Sequence, residues 1–407
     1  MARLLLKNIS KIYTPDRHKP YGTVKEYSNS NILIEDDRIA DINSSINARC
    51  DLEIDCKGKV VLPGFVDCHT HPVFWKTRED EFIMRVQGRS YEQIAESGGG
   101  IRNSVRRFRE ASKSDIKEIT KKRIKTFFEY GTTTIEAKSG YGLSTEDELK
   151  SLEIINELAE EQSLEMIPTF LGAHEVPDEF QQNREAYIDL IKTEMIPQVA
   201  ERKLAKFCDV FCEKGVFTVE ESRAILNAGL KNGLKAKLHA DELAAFGGAE
   251  LSAQINAVSA DHLVKISDDG IVQMAKKGVI PVLLPGTTFF LGKDEYAPAR
   301  KMRDAGCEIA IATDYNPGSS TTQNMQLMWT ISALKLKLLP NEILWATTYT
   351  AAKALEIEHT LGTIEKDKQA DLIILNIPNL NYLPYHYGIN HVSITVKKGK
   401  VVFNRDQ

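Results

Sequence analysis

Between Val60 and Thr313 the chain carries eight short apolar runs, alternating with longer stretches of helical character. The runs are Val60–Asp67, Thr132–Lys138, Met166–Gly172, Lys206–Cys212, Leu234–His239, Ala257–His262, Val279–Leu284 and Glu308–Thr313. Alternation of this kind is the pattern of parallel strands linked by crossover helices. Between the second and third runs, Thr145-Glu146-Asp147-Glu148 has the form of a capping box, and Leu149, Leu152, Ile155 and Leu158 then recur at helical spacing. Eight such units over roughly 300 residues match a (β/α)8 barrel of the TIM type, whereas a doubly wound sheet usually has fewer strands.

The flanks read differently. Leu4–Ile9, Ile32–Ile34 and Asp51–Ile54 before the barrel, and Asp371–Leu375, Ser393–Val396 and Lys400–Phe403 after it, are short β-like runs without a helical period. Lys397-Lys398-Gly399-Lys400 is a turn between the last two. A chain of 407 residues exceeds the roughly 250–300 at which one core stops growing. The expected organisation is therefore a barrel over residues 60–363 and a small β-sandwich domain assembled from residues 1–59 and 364–407.

Composition narrows the function. With 52 Lys+Arg against 57 Asp+Glu, the chain has no basic field to gather a nucleic acid. Gly278–Gly292 is a long uncharged run, yet it is too short to span a membrane and contains Pro281 and Pro285. Six scattered cysteines without a C-x-x-C pair suit reduced thiols in a cytoplasm, and Leu4-Leu5-Leu6 stops at Lys7 without forming a signal-peptide core. Gly98-Gly99-Gly100 gives a flexible first loop but matches no nucleotide-binding motif.

In a barrel the chemistry gathers at the C-terminal ends of the strands. The first run ends in Asp67-Cys68-His69-Thr70-His71, where alternate side chains place two imidazoles on one side. The fifth ends at His239 and the eighth just before Asp314, so three imidazoles and a carboxylate converge. That set suits one divalent ion such as zinc or iron with a position left for water. His174 follows the third run and His262 ends the sixth, so four of eight strand ends carry histidine. His262 can donate to a developing oxyanion, and Glu242, three residues after His239, can reach a substrate N–H or shuttle a proton. Arg78 in the first loop can clamp a carboxylate, and Tyr141 can hydrogen-bond a ligand. Cys212-Glu213 invites a second metal, but no lysine stands there to be carboxylated into a bridge.

These residues resemble the amidohydrolase superfamily, whose members place H-x-H after strand one, histidines after strands five and six, and Asp after strand eight. The likeness covers nearly the whole chain. Within the superfamily the sequence is similar to the ring-opening hydrolases of histidine degradation. The specific stretches are Leu62-Pro63-Gly64-Phe65-Val66-Asp67, His69-Thr70-His71-Pro72-Val73-Phe74 and Glu136-Ala137-Lys138-Ser139-Gly140-Tyr141-Gly142-Leu143. Phe170-Leu171-Gly172-Ala173-His174, His239-Ala240-Asp241-Glu242 and Ala312-Thr313-Asp314-Tyr315-Asn316-Pro317-Gly318-Ser319 complete them. A departure is Trp75-Lys76, where a small Ala-Gly pair is expected before the arginine.

The resemblance implies His69, His71, His239 and Asp314 as metal ligands, and Glu242, His262 and Asp314 as the catalytic set. It implies Arg78, Tyr141, His174, Glu242, Asn316, Gly318 and Ser319 as contacts to substrate or product. The implied reaction opens the cyclic amide of 4-imidazolone-5-propanoate to N-formimidoyl-L-glutamate, in a homodimer with one zinc or iron per subunit. Two other readings stand beside it: a deaminase of guanine- or cytosine-like rings, and an inactive barrel kept as a scaffold.

Overall fold

The computed structural model describes residues 2–89, 93 and 98–405. The first five strands are β1 (Arg3–Pro15), β2 (Val24–Glu35), β3 (Arg38–Asn43), β4 (Leu52–Asp55) and β5 (Val60–Pro63). β1 is long enough to pair twice in parallel, with β4 through Leu4–Lys7 and with β5 through Lys11 and Ile12.

The next eight are β6 (Phe65–Asp67), β7 (Thr132–Lys138), β8 (Glu165–Ala173), β9 (Phe207–Cys212), β10 (Lys235–Ala240), β11 (Ser259–His262), β12 (Ile280–Leu283) and β13 (Ala310–Ile311). All neighbouring pairs from β6 to β13 are parallel, with helices between, which is the expected barrel. The seam between β13 and β6 closes just beyond the strands. Asp314 donates its N–H to the His69 carbonyl at 3.1 Å, His71 donates to that of Tyr315 at 2.8 Å, and Thr70 and Tyr315 form a parallel bridge. Asp67 fastens the same seam, accepting the Thr313 N–H at 3.0 Å and its hydroxyl at 2.5 Å.

The last strands, β14 (Leu372–Leu375), β15 (Val392–Lys397) and β16 (Lys400–Asn404), join the first five in one mixed sheet, in the order β16-β15-β14-β5-β1-β2-β3 with β4 on β1. This sheet from both chain ends curls over a core of its own. Ile34 and Ile39 from one end pack in one cluster with Leu372, Ile374 and Val396 from the other.

The run expected as the first barrel strand, Val60–Asp67, divides in two. Val60–Pro63 belongs to the terminal sheet, paired with β14, and only Phe65–Asp67 enters the barrel. Gly64 stands at the crossing because a Cβ there would lie 2.5 Å from the Thr133 hydroxyl oxygen. Both halves are apolar because both are buried, so hydrophobicity carries no mark of the change of sheet. The capping box also shifts. The cap of helix Thr145–Glu161 is Ser144, which accepts from Asp147 N–H, while Glu148 turns back onto the preceding loop. Gly100 opens helix Gly100–Glu110, and the loop before it lies partly outside the described residues. Among the described residues, no helix is long and apolar enough to cross a membrane.

Candidate active site

The seam that closes the barrel also aims the first two histidines inward. His69 is fully buried, with Nδ1 2.6 Å from Asp261 Oδ2. Its Nε2 faces His71 Nε2 at 3.3 Å and Asp314 Oδ1 at 3.5 Å, and His71 Nε2 lies 3.6 Å from the same carboxylate oxygen. His239 packs against His69 with ring centroids 4.5 Å apart, and His262 stands 5.3 Å from His239.

The donor atoms form two overlapping triplets that share His69: His69, His71 and Asp314, and His69, His239 and His262, each with ligand atoms within 4.8 Å of one another. Three of the four ligands expected from the sequence, His69, His71 and Asp314, therefore share one triplet, and His239 joins His69 in the other with His262 as a further nitrogen. Burial, first, then the charge of Lys138 for His69 and the neighbouring His174 for His71, hold both imidazoles well below their ordinary pKa. Each neutral ring keeps one unprotonated nitrogen that can offer a lone pair. His239 Nε2, also buried, finds no hydrogen-bond partner among the described residues. Unprotonated nitrogens converging on a carboxylate are a donor set for a divalent ion.

The remaining titratable groups are tuned by the same enclosure. Burial pushes Asp314 up to about 6 against the hydroxyl of Thr287, which donates to Oδ2 at 2.6 Å. Burial and then the Asp314 charge push Glu242 up to about 7, and its carboxylate lies 3.6 Å from His262 Nδ1. Burial also draws His262 well below its ordinary value and His174 down to about 3. For His239, burial acts downward, but the Asp209 carboxylate 3.1 Å from Nδ1 outweighs it and the net shift is upward.

On the substrate side, His174 stacks on His71 at 5.3 Å with Nδ1 on the Gly140 carbonyl, and the Tyr141 ring stands 5.6 Å from His174. Arg78 precedes helix Glu79–Val86, with its side chain 11% exposed. Its Nε and Nη1 have no hydrogen-bond partner among the described residues, although Glu81 lies 3.5 Å away. The guanidinium lies against Gly318, and together with Phe82, Arg85, Phe290 and Pro317 it lines a cavity of about 310 Å³. Ser319 reaches Asp314 at 3.3 Å. Asn316 uses both ends of its amide within its own loop, accepting from Gly318 and Ser319 N–H and donating to the Asp314 carbonyl. Trp75 and Phe74 carry their carbonyls to Arg123, which stacks over Phe74 and supports the loop where the sequence departs from its family.

Several residues of the site had no assigned role in the sequence. Asp261, Asp209, Glu136, Lys138 and Lys237 form a wholly buried ionic network beneath the histidines. Their signal was available: charged residues inside runs otherwise apolar. Thr287 carried no such signal, since it reaches Asp314 from a helix after β12. Glu213, the residue that invited a second metal, instead accepts the Leu243 N–H at 2.8 Å.

Comparison with known proteins agrees with this arrangement. Residues 60–402 match the Amidohydrolase family. An imidazolonepropionase from Alkaliphilus metalliredigens is 43% identical over 417 aligned residues, covering 100% of this chain and 99% of the relative. One from Thermoanaerobacter pseudethanolicus is 45% identical, covering 97% of each. Among solved structures, guanine deaminase from E. coli aligns over 100% of both chains with a TM-score of 0.74 at 14% identity, a likeness of fold alone. With relatives this similar over its full length, and with its strand ends carrying the histidines and aspartate described above, the chain belongs to the amidohydrolase family and, within it, to the imidazolonepropionases.

Proposed function

We propose that the site hydrolyses the ring amide of 4-imidazolone-5-propanoate, giving N-formimidoyl-L-glutamate. The observation that carries this reading is the pairing of a buried nitrogen and carboxylate cluster with an arginine, beside Gly318, whose Nε and Nη1 make no hydrogen bond among the described residues. His69, His71, His239 and Asp314 would hold one divalent ion, for which imidazole nitrogens and a carboxylate suit zinc and iron alike. When bound, such an ion would supply a more acidic water, its pKa lowered from 15.7 towards about 7.

The chain's own groups do the rest. Asp314 takes the proton of the attacking water. His262, neutral and fixed at the end of β11, donates to the oxygen that gains charge as the ring carbonyl becomes tetrahedral. Glu242 hydrogen-bonds the ring nitrogen, takes over the proton held by Asp314 and delivers it to that nitrogen as the C–N bond breaks. Arg78 binds the propionate with a planar fork that stays charged at every working pH. Tyr141 and His174 bound the ring. Asn316, Gly318 and Ser319 shape the wall between Arg78 and Asp314.

The test is the decay of the imidazolone ring's ultraviolet absorbance with and without chelator, run beside an ammonia assay on purine and pyrimidine bases. Chelator-sensitive decay with no ammonia supports the reading. Ammonia release from a base, without imidazolone decay, replaces it with a deaminase. Metal analysis of the purified protein decides between zinc and iron, and no stoichiometric metal with no turnover leaves the scaffold reading.

A further inference from the structure

Directly beneath the histidines, the barrel interior is ionic. Lys138 Nζ lies 2.6 Å from Asp209 Oδ2, 3.0 Å from Glu136 Oε1 and 3.6 Å from Asp261 Oδ2, all four side chains being fully buried. The two aspartate oxygens it touches are the ones that face the histidines. Asp261 Oδ2 receives His69 Nδ1 at 2.6 Å, and Asp209 Oδ2 lies 3.1 Å from His239 Nδ1. Each aspartate is fixed by its second oxygen, Asp261 by the Ser259 hydroxyl at 2.7 Å and Asp209 by the His239 N–H at 3.2 Å.

The same lysines hold the main chain of the H-x-H segment. Lys138 donates its backbone N–H to the Thr70 carbonyl, between the two histidines, at 2.9 Å, and Lys237 Nζ donates to the Cys68 carbonyl at 3.2 Å. Lys237 is bound in turn to Glu136 Oε2 at 2.7 Å. His69, Glu136 and Asp261 have ligand atoms close enough to attract a cation themselves, and the lysine ammonium groups stand among those carboxylates.

We infer that Lys138 is a positioning residue for the metal: one ammonium clamps Asp209 and Asp261, and through them it sets the ring orientation of His239, by ion-pair contact, and of His69, by its Nδ1 hydrogen bond. The inference rests on the ligand set proposed above. It follows from the distances because a histidine ligand needs its second nitrogen engaged to keep the first aimed, and both engaged oxygens here share a single cation. Lys138 touches neither metal nor substrate.

Coulomb attraction alone and positioning predict opposite outcomes for one variant. Lys138→Met makes the network more negative, so a purely electrostatic role gives tighter cation binding, whereas positioning gives weaker binding. The experiment titrates Co2+ into chelator-stripped protein, reading the dissociation constant and the visible d–d spectrum, with apo-protein thermal stability as the fold control. Wild type binds one Co2+. Lys138→Met and Asp261→Asn are expected to bind about 10- to 100-fold more weakly with an altered d–d band. If Lys138→Met does not fold, Lys138→Met/Asp209→Asn, which removes one charge of each sign, takes its place with the same expectation. Affinity and spectrum unchanged or tighter in the folded variants overturn the inference. Failure of wild type to bind Co2+ at all overturns the ligand set itself, so the two failures are distinguishable.

Discussion

The contact between Arg78 and Gly318 turns a proposed substrate contact into a quantitative prediction. A Cβ on residue 318 would lie 1.2 Å from Arg78 Nη2 and 2.3 Å from Cζ, so Gly318→Ala cannot coexist with the guanidinium where it stands. Gly318 is absent from the glycines that use left-handed backbone, so alanine brings no backbone strain and its effect must pass through the arginine. Arg78→Met removes the cation but keeps most of the apolar stem. Losing a charged hydrogen bond to a carboxylate costs about 1.5–3 kcal/mol, or roughly 10- to 200-fold in kcat/KM. The loss should fall mainly on KM if the propionate is held equally in substrate and transition state. Stability should barely change, within about 2 °C of Tm, because Arg78 Nε and Nη1 make no hydrogen bond among the described residues, the Glu81 ion pair is long at 3.5 Å, and Arg85 presses on it with like charge. Gly318→Ala alone should cost a similar factor, and adding it to Arg78→Met should cost almost nothing more. Steady-state kinetics on the four proteins of this cycle measure the coupling directly. Additive effects would refute the reasoning, as would an unchanged KM in Arg78→Met.

Asp314→Asn should cut chelator-sensitive turnover by about 100-fold or more and lower metal content on elemental analysis, while circular dichroism shows the fold intact. Glu148 accepts the backbone N–H groups of Gly140, Gly142 and Leu143, so Glu148→Ala strands three buried donors at about 1–3 kcal/mol each, to be read as a lower urea midpoint. Where the terminal sheet meets the barrel, Glu165 lies 2.8 Å from Lys397; burial alone would raise its pKa, but the ammonium outweighs this and holds it below 4.5. A depressed carboxylate stabilises above its unfolded pKa and loses that contribution as acid passes through its folded one. Wild-type Tm should therefore drop steeply below about pH 4.5, and the drop should be shallower in Lys397→Met, starting from a lower plateau.

The barrel and the histidine cluster were legible because each follows from a periodic demand. Strands covered by crossover helices must be apolar, and the chemistry must sit where they end, which places His69, His239 and Asp314 from the sequence alone. The change of sheet at Gly64 was hidden because burial on either side of it writes the same apolar text. The ionic network escaped for a different reason. Glu136, Lys138, Asp209, Lys237 and Asp261 stood in plain view within apolar strands, but which charge meets which depends on parallel register between β7, β9, β10 and β11. One strand read alone shows an anomalous charge and not its partner.

Register also explains how loops on the barrel rim can hold a site to tenths of an ångström. Asp241, His262 and Asp314 all have positive φ, at 50°, 75° and 54°, a conformation that costs a non-glycine residue about 1–3 kcal/mol unless its surroundings fix it. Each stands at the end of a barrel strand, where the chain must turn away sharply while a functional side chain stays aimed inward. Each is fastened. The Asp241 carboxylate accepts from the N–H groups of Phe246, Gly247, Gly248 and Ala249, drawing together the loop that carries Glu242. Beyond His262, Leu263 donates to the Ala240 carbonyl, tying β11's exit to that of β10. Asp314 is held through its N–H by His69, through its carbonyl by Asn316 and through its carboxylate by Thr287 and Ser319. Positive φ occurs elsewhere in the chain too, but at these three residues it falls on the strand ends that the proposed chemistry uses. At two of the three, the fastening bond runs to the main chain beside a neighbouring ligand histidine, so an error in one strand's exit angle would be felt by the next ligand.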